Sequence, residues 1–130
     1  MKCSTHLRDS KQVETDVYAK NCPSRQVLDR IGDAWSVLIV SSLKDGSLRY
    51  TELAQRINGV SPKMLTQTLR GLERDGIVTR TVHAVVPPRV DYALTTLGRS
   101  LLGLCNALQD WAEMHIGDVL DAREAYDSRV

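Results

Sequence analysis

Residues 58–94 leave this chain little choice of fold. Asn58-Gly59 is a tight-turn pair, and Ser61-Pro62 follows at once. A serine side chain accepts from the free N–H groups that open a helix, and a proline fits the first helical position because it needs no N–H there. Leu65, Leu69 and Leu72 then recur at i, i+4 and i+7, one helical face, until Asp75-Gly76 ends the segment. Ahead of the turn, a short helix starting near Tyr50 has Leu53, Ala54 and Ile57 inward. Behind the longer helix, the β-branched run Ile77-Val78-Thr79-Arg80-Thr81-Val82-His83 reads as a strand. Pro87-Pro88 bars a central strand and marks a loop tip. Val90, Tyr92 and Leu94 alternate with Arg89, Asp91 and Ala93, which returns the chain as the second strand of a hairpin.

The flanking segments are helical. Asn21-Cys22-Pro23-Ser24 opens a short helix carrying Val27, Leu28 and Ile31, and Gly32 closes it. Asp33 caps the next, in which Trp35, Leu38, Ile39, Ser42 and Leu43 share one face. Val37 and Val40 make its other face apolar too, so this helix is central and buried. From Thr96 a last helix carries Leu97, Leu101, Leu104, Cys105, Leu108, Trp111, Ala112 and His115 along one side. The reading is a mainly α fold with a small β-hairpin wing: a winged helix-turn-helix with terminal dimerisation helices. Its expected divisions are an N-terminal arm over 1–20, mobile or part helical with weak signals at Val13 and Val17, the winged domain over 21–95, a dimerisation helix over 96–120 and a tail over 121–130.

Composition limits the function classes. A chain of 130 residues suits one domain and one modest core, and with no Phe that core must be built from Leu, Val and Ile. The longest aliphatic run, Val37-Leu38-Ile39-Val40, is far short of the ~20 apolar residues of a membrane span. The first residues lack the apolar stretch of a signal peptide, so a cytoplasmic location is expected. Cys3, Cys22 and Cys105 form neither a CxxC pair nor a zinc-finger spacing. His6, His83 and His115 are scattered and no nucleophile motif is present, so no metal, cofactor or enzymatic activity is expected. The net charge of +1 conceals a division: residues 44–90 carry a net +4 and residues 105–130 a net −4. A basic middle with an acidic end is the distribution a localised nucleic-acid face requires.

The face opposite Leu65, Leu69 and Leu72 presents Lys63, Gln67, Arg70 and Arg74 at i, i+4, i+7 and i+11. Arg and Lys pair with guanine edges or phosphates, and Gln with adenine. Thr66 and Gly71 beside them are small enough to let a helix sit close to DNA. A solvated polar face is the alternative for an isolated helix; the preceding short helix, the Ser61-Pro62 start and the hairpin together favour DNA. Arg80 and Arg89 flank the hairpin, where basic residues hold the phosphate backbone without reading bases. Arg89 could instead pair with an acid across the strands.

Taken in order, these segments resemble the HxlR-type family of winged helix-turn-helix regulators. The residues that carry the resemblance are Cys22-Pro23, Gly32-Asp33-Ala34-Trp35, Arg49-Tyr50-Thr51-Glu52-Leu53, Ser61-Pro62-Lys63-Met64-Leu65-Thr66, Leu69-Arg70-Gly71-Leu72-Glu73-Arg74-Asp75-Gly76, Val86-Pro87-Pro88-Arg89-Val90-Asp91-Tyr92 and Leu94-Thr95-Thr96-Leu97-Gly98. The match spans about residues 20–117. It implies sequence-specific binding of double-stranded DNA, a homodimer built from the terminal helices, and control of a nearby gene, most simply by repression from an inverted-repeat operator. Leu97, Leu101, Leu104, Leu108 and Trp111 are the expected dimer contacts. The rival is a winged helix used only for protein contacts. The family also places a cysteine where Cys22 stands, used by some members to sense oxidants. A helix N-terminus lowers a thiol's pKa, so Cys22 is read either as a sensor with Cys105 as its partner, or as a packed structural thiol.

Overall fold

The computed structural model describes residues 2–6, 12–16, 18–19 and 21–129, with side chains given from Asp16 onward. Strands β1 (Lys2–His6) and β2 (Gln12–Asp16) pair antiparallel. The expectation of a part-helical arm therefore gives way to two paired strands; its signal at Val17 lies outside the described residues.

Helix α1 (Pro23–Ile31) starts at Pro23 with Cys22 as N-cap. Helix α2 (Ala34–Ser42) is capped by Asp33, whose side chain accepts from the Trp35 N–H. The strand β3 (Leu48–Arg49) leads into α3 (Tyr50–Arg56), where the Glu52 carboxylate accepts from the Arg49 N–H at 2.8 Å. Helix α4 (Pro62–Arg74) follows, then β4 (Val78–His83) and β5 (Arg89–Leu94). The wing is three-stranded: β5 lies between β4 and β3, antiparallel to both, with Leu48 and Arg80 each opposite Tyr92. Two residues are too few to show an alternating pattern, so β3 has no signature in the sequence.

The core gathers Ile39 and Val40 of α2 and Leu43 at its end, Leu53 of α3, Ile57, Leu65, Leu69 and Leu72 of α4, Ile77, Val78 and Tyr92. Two inward assignments are corrected. The buried face of α2 runs through Ser36, Ile39, Val40 and Leu43, leaving Leu38 at 38% exposure. A helix apolar all round gives periodicity no means of choosing its inner face. Ala54 of α3 is exposed while Leu53 and Ile57 are buried.

The final helix is broken. Thr95 caps a short α5 (Thr96–Arg99), and a separate α6 runs over Leu102–Asp127. Thr95 Oγ1 accepts from the Gly98 N–H at 2.9 Å and donates to the Gly76 carbonyl at 2.6 Å, which lashes this corner to the turn after α4. Gly98 is buried, and a Cβ there would lie 2.1 Å from the Ile77 carbonyl oxygen, so only glycine fits. Residues 121–127, expected as tail, continue α6.

Candidate nucleic-acid interface

Helix α4 is set by its own first turn. Ser61 Oγ accepts from the Met64 N–H at 3.1 Å, with Pro62 at the first helical position. Gly59, at φ 89°, makes the turn that delivers the chain there, a conformation side-chain-bearing residues rarely adopt. Leu65, Leu69 and Leu72 are essentially inaccessible. Lys63, Gln67, Arg70 and Arg74 are all exposed on the opposite face, within an arc of about 60° at 100° per residue. That stripe is a cationic and amide-bearing surface, with groups for both acceptor-rich base edges and phosphates.

The two small residues expected to border the stripe are each engaged by another part of the chain. Thr66 is half-buried, its Oγ1 3.2 Å from the Tyr50 hydroxyl, which also donates to the Pro62 carbonyl at 3.2 Å. Gly71 is buried beneath the Arg30 guanidinium. The helix is thus gripped on both sides of its exposed face.

On the wing, Arg80 is exposed. Arg89 is half-buried, and its Nε lies 3.4 Å from Asp91 Oδ1, within ion-pair reach but without the geometry of a hydrogen bond. The acid beside Arg89 is Asp91 of its own strand, whose other oxygen lies 2.9 Å from His83 Nε2 across the hairpin. Between wing and α3 an open cleft of about 530 Å³ is lined by Tyr50, Val85, Val86 and the two prolines, with Arg49 and Arg89 among its walls. Arg49, read in the sequence only as part of the segment that carries the family resemblance, thus stands beside the wing.

Both described thiols are buried. Burial raises Cys22, but the backbone N–H groups of Arg25, Asp16 and Ser24 and the Ser24 hydroxyl outweigh it and hold this thiol below its ordinary value. The Asp16 N–H donates to its sulfur at 3.1 Å. At 6% exposure Cys22 is enclosed. Cys105 belongs to the core, and desolvation pushes its thiol up.

Of the expected dimer residues, Leu104, Leu108 and Trp111 stand on α6 at 50%, 49% and 59% exposure. Leu97 is exposed on α5, and Leu101 at the break packs against the core. Farther along α6, Met114, Ile116 and Leu120 are exposed too. Among the described residues no helix is long and apolar enough to cross a membrane, and no group of His, Cys, Asp or Glu is placed to hold a metal ion.

Residues 30–119 match the HxlR-like helix-turn-helix family. An uncharacterized HTH-type transcriptional regulator, YtfH of Escherichia coli (strain K12), is 43% identical over 111 residues, 85% of this chain and 88% of that protein. The structure of the putative transcriptional regulator ytfH from Salmonella typhimurium is similar with a TM-score of 0.79 at 44% identity, over 85% of this chain and 98% of that one. The redox regulator HypR in its oxidized form is similar with a TM-score of 0.66 at 39% identity, over 72% and 96%.

Proposed function

This chain belongs to the HxlR-like helix-turn-helix family of transcriptional regulators, and from that premise we propose that it represses transcription as a homodimer on an inverted-repeat operator. The observation that carries the reading is the stripe Lys63, Gln67, Arg70 and Arg74, exposed on a helix whose back is fully buried and whose flanks are held. A stripe so fixed has its side chains pre-positioned for the major groove, with Ser61 and Thr66 shaping the start of α4. Arg80 and Arg89 add contacts to the phosphate backbone.

The dimer reading is supported by α6. Its exposed Leu104, Leu108 and Trp111 form an apolar surface that a monomer would leave in water. Two-fold symmetry then sets half-sites about 34–36 Å apart or at a multiple of that distance.

Selection of bound genomic fragments by the purified protein, followed by gel shifts and sedimentation, tests the reading. Enrichment of an inverted repeat by a dimer is the expected result. A protein that is monomeric at micromolar concentration, or that enriches no sequence, defeats it and leaves the protein-contact role.

The finer part of the proposal is redox control through Cys22, supported by its lowered pKa and by the likeness to the redox regulator HypR. The Cys22 thiolate attacks one oxygen of hydrogen peroxide; the O–O bond breaks, the other oxygen takes up a proton and leaves as water, and a sulfenic acid remains. A second thiol then attacks that sulfur, the S–O bond breaks, and the hydroxyl leaves as water with the thiol's proton as the disulfide closes. Cys105 of the partner subunit is the candidate, provided the Cα atoms come within about 7 Å. Non-reducing gels of wild type, Cys22→Ser and Cys105→Ser with and without peroxide, beside gel shifts, check it. Equal operator affinity of oxidised and reduced wild type makes Cys22 a structural thiol.

A further inference from the structure

Arg30 stands in the last turn of α1, yet its side chain ends on α4. Its Nε donates to Asp75 Oδ2 at 3.0 Å, and Asp75 is the C-cap residue of α4. The guanidinium lies across the α4 backbone at Gly71: a Cβ built there would fall 2.2 Å from Nη1 and 2.3 Å from Cζ. Glycine is a poor residue for the middle of a helix, and here its bare backbone is what admits the planar cation. The cation also sits at the helix end where the aligned peptide dipoles favour positive charge.

The placement on α4 matters. At 100° per residue, Gly71 lies about 70° to one side of the middle of the stripe, and Thr66 lies about 70° to the other. Tyr50 holds the Thr66 side near the start of the helix. Arg30 holds the Gly71 side near its end, between Arg70 and Arg74. Two holds on opposite flanks and at opposite ends fix rotation about the helix axis, which buried leucines alone restrain less sharply because they all point one way.

We propose that Arg30 is a positioning residue for DNA recognition: lying flat on α4 at Gly71 and bonded to Asp75, it sets the roll of that helix and hence where Arg70 and Arg74 point. The proposal rests on the operator-reading role given to α4 above.

The test compares wild type, Arg30→Gln, Asp75→Asn, Gly71→Ala and the double variant Arg30→Gln/Gly71→Ala. Each is titrated with two duplexes, one selected by the wild-type protein from random-sequence DNA and one a scrambled version of it, across a range of salt. Each single variant is expected to lower the ratio of selected to scrambled affinity about tenfold, the size of one lost base contact. The double variant loses no more than either single, because the alanine methyl and the missing guanidinium undo the same contact.

Asp75→Asn gives the sharpest sign. Removing a negative charge beside a DNA face strengthens binding to any duplex on charge alone, whereas here selectivity falls. Gly71→Ala keeps every charge and brings in a better helix former, so its fold is retained, and circular dichroism melts check each variant. An unchanged ratio in Asp75→Asn and Gly71→Ala overturns the proposal. So does an additive loss in the double variant. So does an equal fall on both duplexes with a shallower salt slope confined to Arg30→Gln, which makes Arg30 a phosphate contact. A wild type that selects no sequence defeats the operator reading and this proposal together; a selective wild type with selective variants defeats this proposal alone.

Discussion

The polar stripe of α4 and the long C-terminal helix handle exposure in opposite ways. On α4 every exposed residue of the stripe is polar, and the side chains behind and beside it are held by the same chain through Leu65, Leu69, Tyr50 and Arg30. On α6 the exposed residues include Leu104, Leu108, Trp111, Met114 and Leu120. Such apolar side chains gain nothing from water. The difference teaches that this chain holds its polar stripe in place from within, while it leaves the apolar side chains of α6 uncovered.

The strongest way to break this contrast is to charge the apolar helix. Leu108→Asp should yield a monomer by sedimentation and lower operator affinity by about three orders of magnitude, towards non-specific binding. A dimer with unchanged affinity would put the interface elsewhere. Because Leu108 is 49% exposed, the variant's winged domain should keep a cooperative melt.

Next in size is the hidden side of α4. Leu69 is 1% exposed, and Leu69→Ala should cost about 2–5 kcal/mol of stability through lost burial and the cavity left behind. Urea unfolding measures it, and a loss below 1 kcal/mol would mean the site collapses around the gap. The exposed side should behave differently. Arg70→Ala should leave urea unfolding unchanged and weaken operator binding by about 1–3 kcal/mol, which a gel-shift titration reads directly.

The wing should give the smallest effect. Arg80→Ala is expected to weaken all duplexes alike and reduce the salt slope by about 1. Arg89→Ala should do less, because Asp91 already offsets part of its charge at 3.4 Å. A larger loss from Arg89 than from Arg80 in titrations at several salt concentrations reverses that ranking.

What the sequence reveals of the fold is local. Ser61, Pro62 and the leucines behind them announced α4 because capping and periodicity act within a few residues, and the same holds for the β4–β5 hairpin and its prolines. The inner face of α2 was hidden by its uniform apolarity, and the break at Ser100–Leu101 carries neither Gly nor Pro to mark it. The Arg30–Asp75 bond joins residues 45 apart, beyond the reach of any period. Its one trace was Gly71, a glycine inside a helical pattern, a position that calls for a packing reason.

The corner lashed by Thr95 also has a mechanical meaning. Helix α6 is 26 residues long, and at 1.5 Å per residue that is an arm of about 39 Å. A tilt of only 10° at its base sweeps the far end through about 7 Å. Thr95 fixes the start of α5, the short turn that leads into this arm, to the carbonyls of Gly76 and Ile77, immediately beyond the end of α4. The approach to that arm and the end of α4 are therefore tied at one corner. A 10° change of direction there carries the far end of α6 through about the rise of two base pairs.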